Sequence, residues 1–377
     1  MILFCLMLLQ APNLYELTHI TDIEVGFNQS DWEEQLHANH RKDQINKSST
    51  YLKASVTVQG LQFPHAGMRI KGNSSYVGRS STRNSLAIKL DAFGQGDFAG
   101  IDLLTLNAGK FDESLCAELL AYRLLGQHMI APRANWAWLH VNGIDYGIFV
   151  NVERIDKQFM KRNFGSGKRH RYKPNKAGLE WLGGDVEHYA EIYALKSGSQ
   201  KEAHQDVLRV SEHLHDWSKA TVKNLSRVFA ITEAIDYLVL TDLMAVWDDY
   251  RDRHNYYLCE DSKGRLHIVP WDMDRAFSHR FDRPLGIGVG VSDLPLLDIL
   301  CVRELEALYI KQLHRLSRQV YSEDTRVFLD SCHAILQPEM AAACSPEAYE
   351  KWELAFVRFK SYIERRGEFV AYDLNRW

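Results

Sequence analysis

Five residues in one stretch of this 377-residue chain carry side chains suited to holding a cation and a phosphate: Asp248, Asp249, Asn255, Asp272 and Asp274. All offer oxygen. Hard cations such as Mg²⁺ take oxygen ligands and are usually held by one or two carboxylates together with substrate phosphates. Two strand-like runs, Tyr256–Cys259 and Leu266–Val269, separate the two groups of acids, with Asp261, Lys263 and Gly264 between them as turn formers. A hairpin there sets its open ends side by side. Asp248, Asp249 and Asn255 then meet Asp272 and Asp274 from the Pro-Trp-Asp-Met-Asp turn. The competing reading is structural: Asp and Asn as turn residues, and the Asp248–Arg253 charges as a solvated face.

The order of the residues fits phosphoryl transfer. In that chemistry one Asp orients a hydroxyl nucleophile, an Asn further on holds metal, and a later Asp holds it again. Asn255 follows Asp248 by seven residues, which is not the usual kinase catalytic-loop spacing, and no Asp-Phe-Gly follows.

The elements that must position these residues divide the chain in two. The first part is rich in strands. Asp22–Phe27 and Tyr51–Val58 read as strands around a polar Asp31–Asp43 segment suited to a short surface helix. Met68–Ile70 leads into Lys71-Gly72-Asn73-Ser74-Ser75, and Ser85–Leu90 alternates again. A Gly, Ser and Asn loop between strands can offer backbone N–H groups to a phosphate, although hairpin turns use the same residues. Asn73 also begins a glycosylation sequon. Lys89 lies in the second of these strands, on the face opposite Ile88. It suits either solvent or a phosphate partner, since an unpaired buried ammonium is costly.

Glu113–His128 has helical spacing, with Asp112 or Ser114 as cap and Glu118 as its only mid-helix acid. Glu118 suits either a Lys89 partner or an exposed helix face. Trp136–Val141 and Tyr146–Val152 are joined by Asn142-Gly143, a strong hairpin signal. Glu153, at the end of that hairpin, stands where a nucleotide base or a hinge would lie in a kinase-like chain; its alternative is a first-turn helix acid. Lys157–Lys176 is basic and reads as a solvated loop or a phosphate-binding one. From Val222 helices dominate, with one long buried helix expected up to Leu243 and leading to Trp247-Asp248. The expected division is a 1–20 leader, a 21–156 strand-rich part and a 157–377 helical part.

Composition sets outer limits. Hydrophobic content of 46% and charged content of 25% are ordinary for a globular chain. A net charge of −4 argues against nonspecific nucleic-acid binding. The six cysteines are scattered without a Cys-x-x-Cys pair, so no zinc finger or disulfide scaffold is indicated. Met1–Ala11 is apolar and too short to span a bilayer. It is similar to the core of an export signal but lacks a basic start. It points to a secreted, periplasmic or cell-surface protein, or else to a buried terminal segment. No later run reads as a membrane span.

Several short blocks, in order, resemble the spore-coat protein CotH family of atypical protein kinases. They are Met68-Arg69-Ile70-Lys71-Gly72-Asn73-Ser74-Ser75, Ser85-Leu86-Ala87-Ile88-Lys89, Pro132-Arg133, Val141-Asn142-Gly143 through Tyr146-Gly147, Val152-Glu153-Arg154-Ile155-Asp156, Asn255-Tyr256-Tyr257-Leu258 and Pro270-Trp271-Asp272-Met273-Asp274. The resemblance runs from about Asp22 to the C-terminus. It implies an α+β, protein-kinase-like fold of two lobes that binds ATP with Mg²⁺ or Mn²⁺ and phosphorylates Ser or Thr of a secreted or coat protein. It further implies Gly72, Asn73, Ser74, Lys89 and Glu153 as nucleotide contacts, Glu118 as the partner of Lys89, and Asn255, Asp272 and Asp274 as metal ligands. Asp248, which follows Trp247, is the implied residue for orienting the hydroxyl, with its neighbour Asp249 as the alternative. A non-catalytic nucleotide-binding or coat module, and a Mg²⁺-dependent phosphohydrolase, are the competing functions.

Overall fold

A computed structural model describes residues 13–377 apart from 73–74, 80–82, 287 and 291. The leader-like Met1–Ala11 lies outside the described residues. The protein is α+β. It divides into two compact units, one comprising the chain up to Lys110 with Ala134–Arg154, the other Phe111–Arg133 with Ile155–Trp377.

The first unit contains β1 (Thr21–Gly26), α1 (Trp32–Asn46), β2 (Leu52–Val58), β3 (Leu61–Ile70), β4 (Leu86–Lys89) and β5 (Leu103–Asn107). After α2 (Ala117–Gly126), which belongs to the other unit, the chain returns for β6 (Ala134–Val141) and β7 (Ile144–Val152). The strands close into a barrel in the order β1-β2-β3-β4-β5-β7-β6. Closure comes from β1 pairing parallel with β6, Ile23 opposite Leu139 and Val25 opposite Val141. Period-2 alternation puts Ile23, Val25, Val56, Met68, Ile88 and Leu104 into one buried core. Lys89 aligns with Gly67 and Leu103 on the opposite face from Ile88. The β6–β7 turn places Asn142 at φ 48° and Gly143 at φ 77°, the double positive φ that such a two-residue turn requires. The Asn142 side chain also accepts from Phe27 N at 2.7 Å, tying the turn to the end of β1.

The second unit continues with α3 (Lys157–Phe164), β8 (Arg171–Pro174), α4 (Val186–Ile192), β9 (Tyr193–Ser197), α5 (Gln205–His215), α6 (Val222–Leu225) and α7 (Ile231–Leu243). Then come β10 (Tyr256–Glu260), β11 (Leu266–Pro270), α8 (Pro295–Asp298), α9 (Arg303–Val320), α10 (Glu323–Ala343) and α11 (Pro346–Asp373). Three sequence expectations change here. The basic stretch is not a loop: Asp156 caps α3 through Gln158 N and Phe159 N, and β8 follows. The hairpin expected within the mainly helical part does not stand alone but forms one side of a four-stranded sheet ordered β11-β10-β8-β9. The long helix before Trp247 is broken. Leu266 N donates to Val228 O and Ala230 N donates to Leu266 O, so the chain at Phe229 pairs with β11 instead of staying helical.

Among the described residues no helix is long and apolar enough to cross a membrane. Cys116, Cys259, Cys301, Cys332 and Cys344 are free thiols.

Candidate active site on the β10–β11 hairpin

The hairpin register sets Tyr256 opposite Pro270, and Trp271 N donates to Asn255 O at 3.0 Å. Asn255 and Asp272 therefore lie at adjacent open ends, as the sequence pattern requires. A short 3-10 turn, Met273–Arg275, carries the chain away and contains Asp274. From the other side, the Asn255 amide donates to Asp248 O at 2.6 Å. That bond leaves the Asn255 side-chain oxygen for another partner.

Asp248, Asn255 and Asp272 have φ of 78°, 56° and 57°. The left-handed region costs most side chains about 1–2 kcal/mol, and Asp and Asn tolerate it best. Such strain is held only where surrounding contacts impose it, and it gathers at functional sites. Here Asp252 imposes it in part, accepting from Asp248 N at 2.8 Å.

The tandem acids have opposite environments. The Asp249 side chain is 1% exposed and ion-paired to Arg251 at 2.7 Å. It also accepts from Arg251 N at 2.8 Å, capping the 3-10 turn Tyr250–Asp252. Arg251 goes on to bind Thr241 Oγ1 and Leu238 O. Asp249 is thus fully used by the fold. The Asp248 carboxylate is 31% exposed, with His254 Nδ1 3.2 Å from one oxygen and Arg275 Nε 4.0 Å from the other.

Arg275 is clamped between two rings, Phe111 at 4.3 Å and Trp247 at 4.4 Å. A guanidinium between aromatic faces is oriented by stacking and cation–π attraction. His254, Arg275 and Phe111 were not legible as site residues. Their roles come from contacts across the unit, although Arg275 does sit inside the matched Pro-Trp-Asp-Met-Asp block's continuation.

Helix α2 supplies the remaining acid. Glu118 is buried, so an exposed helix-face position is excluded. Tyr122, one turn later, has its phenol pushed well up, first by burial and then by the charges of Glu118, Asp272 and Asp274. Glu118 thus belongs to the same acidic neighbourhood as the 3-10 turn. The i, i+4 spacing of Tyr122 from Glu118 is the one signal in the sequence that links them.

Lys89 belongs to the first unit, where its ammonium is 3.5 Å from Asp91 Oδ1 and 38% exposed. Gly72 has φ 83° and follows Lys71, whose ammonium bonds Asn107 Oδ1. Asn73 and Ser74 lie outside the described residues. Glu153 is buried just beyond β7. A separate cleft of about 530 Å³ among α9, α10 and α11, lined by Arg318, Tyr321 and Glu364, contains none of these residues.

Asn255 and Asp272 stand at adjacent strand ends with Asp274 in the turn that follows, and all three offer oxygen, the ligand type that Mg²⁺ takes. No curated protein matches this chain. The family model described as CotH kinase protein matches residues 68–370. That span includes every residue of the hairpin site and most of the chain, and the protein therefore belongs to the CotH kinase family.

Proposed function

We propose that this chain is an ATP- and Mg²⁺-dependent protein kinase that transfers the γ-phosphate to Ser or Thr of a secreted or surface protein. The observation that carries the reading is the pairing of an accessible Asp248 with Asn255 and Asp272 at the open end of one hairpin. In this reading Asp248 receives the proton of the acceptor hydroxyl, and His254 and Arg275 fix the direction of its carboxylate. Asn255, Asp272 and Asp274 would hold Mg²⁺ or Mn²⁺. The metal, when bound, would neutralise charge on the transferring phosphate. Glu118 adds negative charge to that end of the site. The first unit contributes Lys89, Gly72, Asn73, Ser74 and Glu153 as nucleotide contacts. A two-lobed kinase-like arrangement and export from the cytoplasm are parts of the same proposal.

The test is incubation with γ-labelled and, separately, α-labelled ATP plus Mg²⁺ and a generic acceptor, using wild type, Asp248→Ala and Asp272→Ala. Label from the γ position only, lost in both variants, is the expected result. Label from the α position would make the enzyme a nucleotidyl transferase. Phosphate released without labelled protein would make it a phosphohydrolase. Nucleotide binding without any turnover would favour a coat or binding module.

A further inference from the structure

A second group of ligand-type side chains lies in the unit's sheet, away from the hairpin's open end. His170 immediately precedes β8, Asp206 is in the first turn of α5, and Glu260 ends β10. Nδ1 of His170 is 2.9 Å from Asp206 Oδ2 and 3.6 Å from Glu260 Oε2. The His170 and Asp206 side chains are 9% and 3% exposed, and Glu260 is 22% exposed. Five residues of extended chain separate Glu260 from Asn255, about 16 Å at the usual strand rise.

The ring is fixed from its other side. Nε2 of His170 is 3.1 Å from Ser199 O, which accepts its N–H. With a carbonyl on Nε2 and Asp206 on Nδ1, both ring nitrogens face acceptors; without an ion Nδ1–H donates to Asp206, and a bound metal would take the place of that proton. A carbonyl on the far nitrogen is the usual support for a metal-binding histidine. The imidazole also packs directly on Gly198, where a Cβ would fall 2.1 Å from His170 Cδ2. The backbone of His170 is pinned as well: its N–H donates to Glu260 Oε2 at 3.0 Å, and its carbonyl accepts from Glu260 N at 2.9 Å. Tyr172 OH donates to the second Asp206 oxygen at 2.8 Å, leaving Oδ2 toward the histidine.

We propose that His170, Asp206 and Glu260 form a binding site for a divalent transition metal of the zinc class, separate from the hairpin acids. Zinc–nitrogen and zinc–oxygen bonds of about 2.0–2.2 Å in a tetrahedron put ligand atoms about 3.3–3.5 Å apart. The 3.6 Å contact already fits, the 2.9 Å contact would open by about half an ångström as the metal replaces the shared proton, and all three ligand atoms lie within 4.8 Å of one another. One imidazole with two carboxylates suits zinc better than the all-oxygen set preferred by Mg²⁺. Glu260, the most exposed of the three, marks the side from which the ion and a completing water would enter. The ion would join β8, β10 and α5, and so brace the sheet that carries the hairpin.

The experiment uses the full chain, stripped with a chelator, loaded with Zn²⁺ alone and desalted. Bound zinc is counted by mass spectrometry, and melting is followed with and without zinc. Glu260→Gln is the main variant, because its amide oxygen still accepts the His170 N–H; His170→Gln is the second. An Asp272→Asn/Asp274→Asn double variant controls for the hairpin. Wild type and the double variant should each keep about one zinc per chain and melt higher with it. Glu260→Gln and His170→Gln should keep none and show no zinc-dependent rise. The proposal is overturned if wild type retains no zinc, since the cluster is then only a hydrogen-bonded ion pair. It is equally overturned if zinc is lost in the hairpin variant and retained in Glu260→Gln. Neither result depends on kinase activity.

Discussion

Replacing each of two adjacent aspartates by asparagine should produce opposite phenotypes. Asp249→Asn removes the charge that faces Arg251 at 2.7 Å, where the two side chains are 1% and 9% exposed. Removing one partner of a buried pair costs about 3–5 kcal/mol because the other charge is stranded. Two features lower that figure here. The asparagine oxygen can still cap Arg251 N, and Arg251 keeps Thr241 Oγ1, Leu238 O and an Asp242 oxygen 3.8 Å away. A loss of about 2–3 kcal/mol follows, which lowers Tm by roughly 5–10 °C in a unit of this size. Asp248→Asn touches no comparable pair. Its carboxylate is 31% exposed, and asparagine accepts φ 78° as readily as aspartate. Its stability should stay within about 0.5 kcal/mol of wild type. Its phosphoryl transfer should fall by about 10²–10⁴-fold if Asp248 takes the hydroxyl proton. Thermal melts read by circular dichroism, with transfer measured on the same samples below both melting temperatures, separate the two effects. The reasoning fails if Asp249→Asn loses transfer at unchanged Tm while Asp248→Asn remains active.

Two further outcomes follow from neighbouring contacts. Arg275→Lys keeps the charge but not the flat guanidinium held between Phe111 and Trp247; transfer should fall by about tenfold with ATP binding unchanged in a titration, and full activity would show that the aromatic clamp is idle. Asp236 is buried beside Arg315, and burial raises its carboxyl to about 6. The folded chain then keeps a proton that the unfolded chain has already released between about pH 4 and 6. This group's contribution to stability should fall by on the order of 2–3 kcal/mol as pH rises through that window. Denaturant titrations of Asp236→Asn against wild type across that range should lack this component, and parallel curves would refute it.

Local chemistry made much of the site legible. The alternating runs around Asp261, Lys263 and Gly264 are a hairpin, and its open ends do bring Asn255 beside Asp272. Asn142-Gly143 is the turn that its residues demand. These features depend on neighbours in the chain, where residue type and period carry the information. The α7 break was not legible, because it depends on Phe229 meeting Leu266 from a distant strand. The strand at Arg171–Pro174 was hidden by its charge; it pairs at the inner side of a sheet whose other members lie far along the chain.

By itself the sequence determined which residues have the chemistry, the hairpin that gathers them and the family to which the blocks belong. Tertiary structure alone separated the environments of Asp248 and Asp249. Arg251, folded back on its 3-10 turn, holds the buried Asp249 carboxylate, whereas the Asp248 carboxylate stays partly exposed beside His254 and Arg275. Tertiary structure also decided that α2 joins the second unit, that β1 closes a barrel against β6, and that His170, Asp206 and Glu260 meet. Each of these rests on contacts between segments far apart in the chain, whose closure is governed by the packing of the whole core and leaves no local period to read.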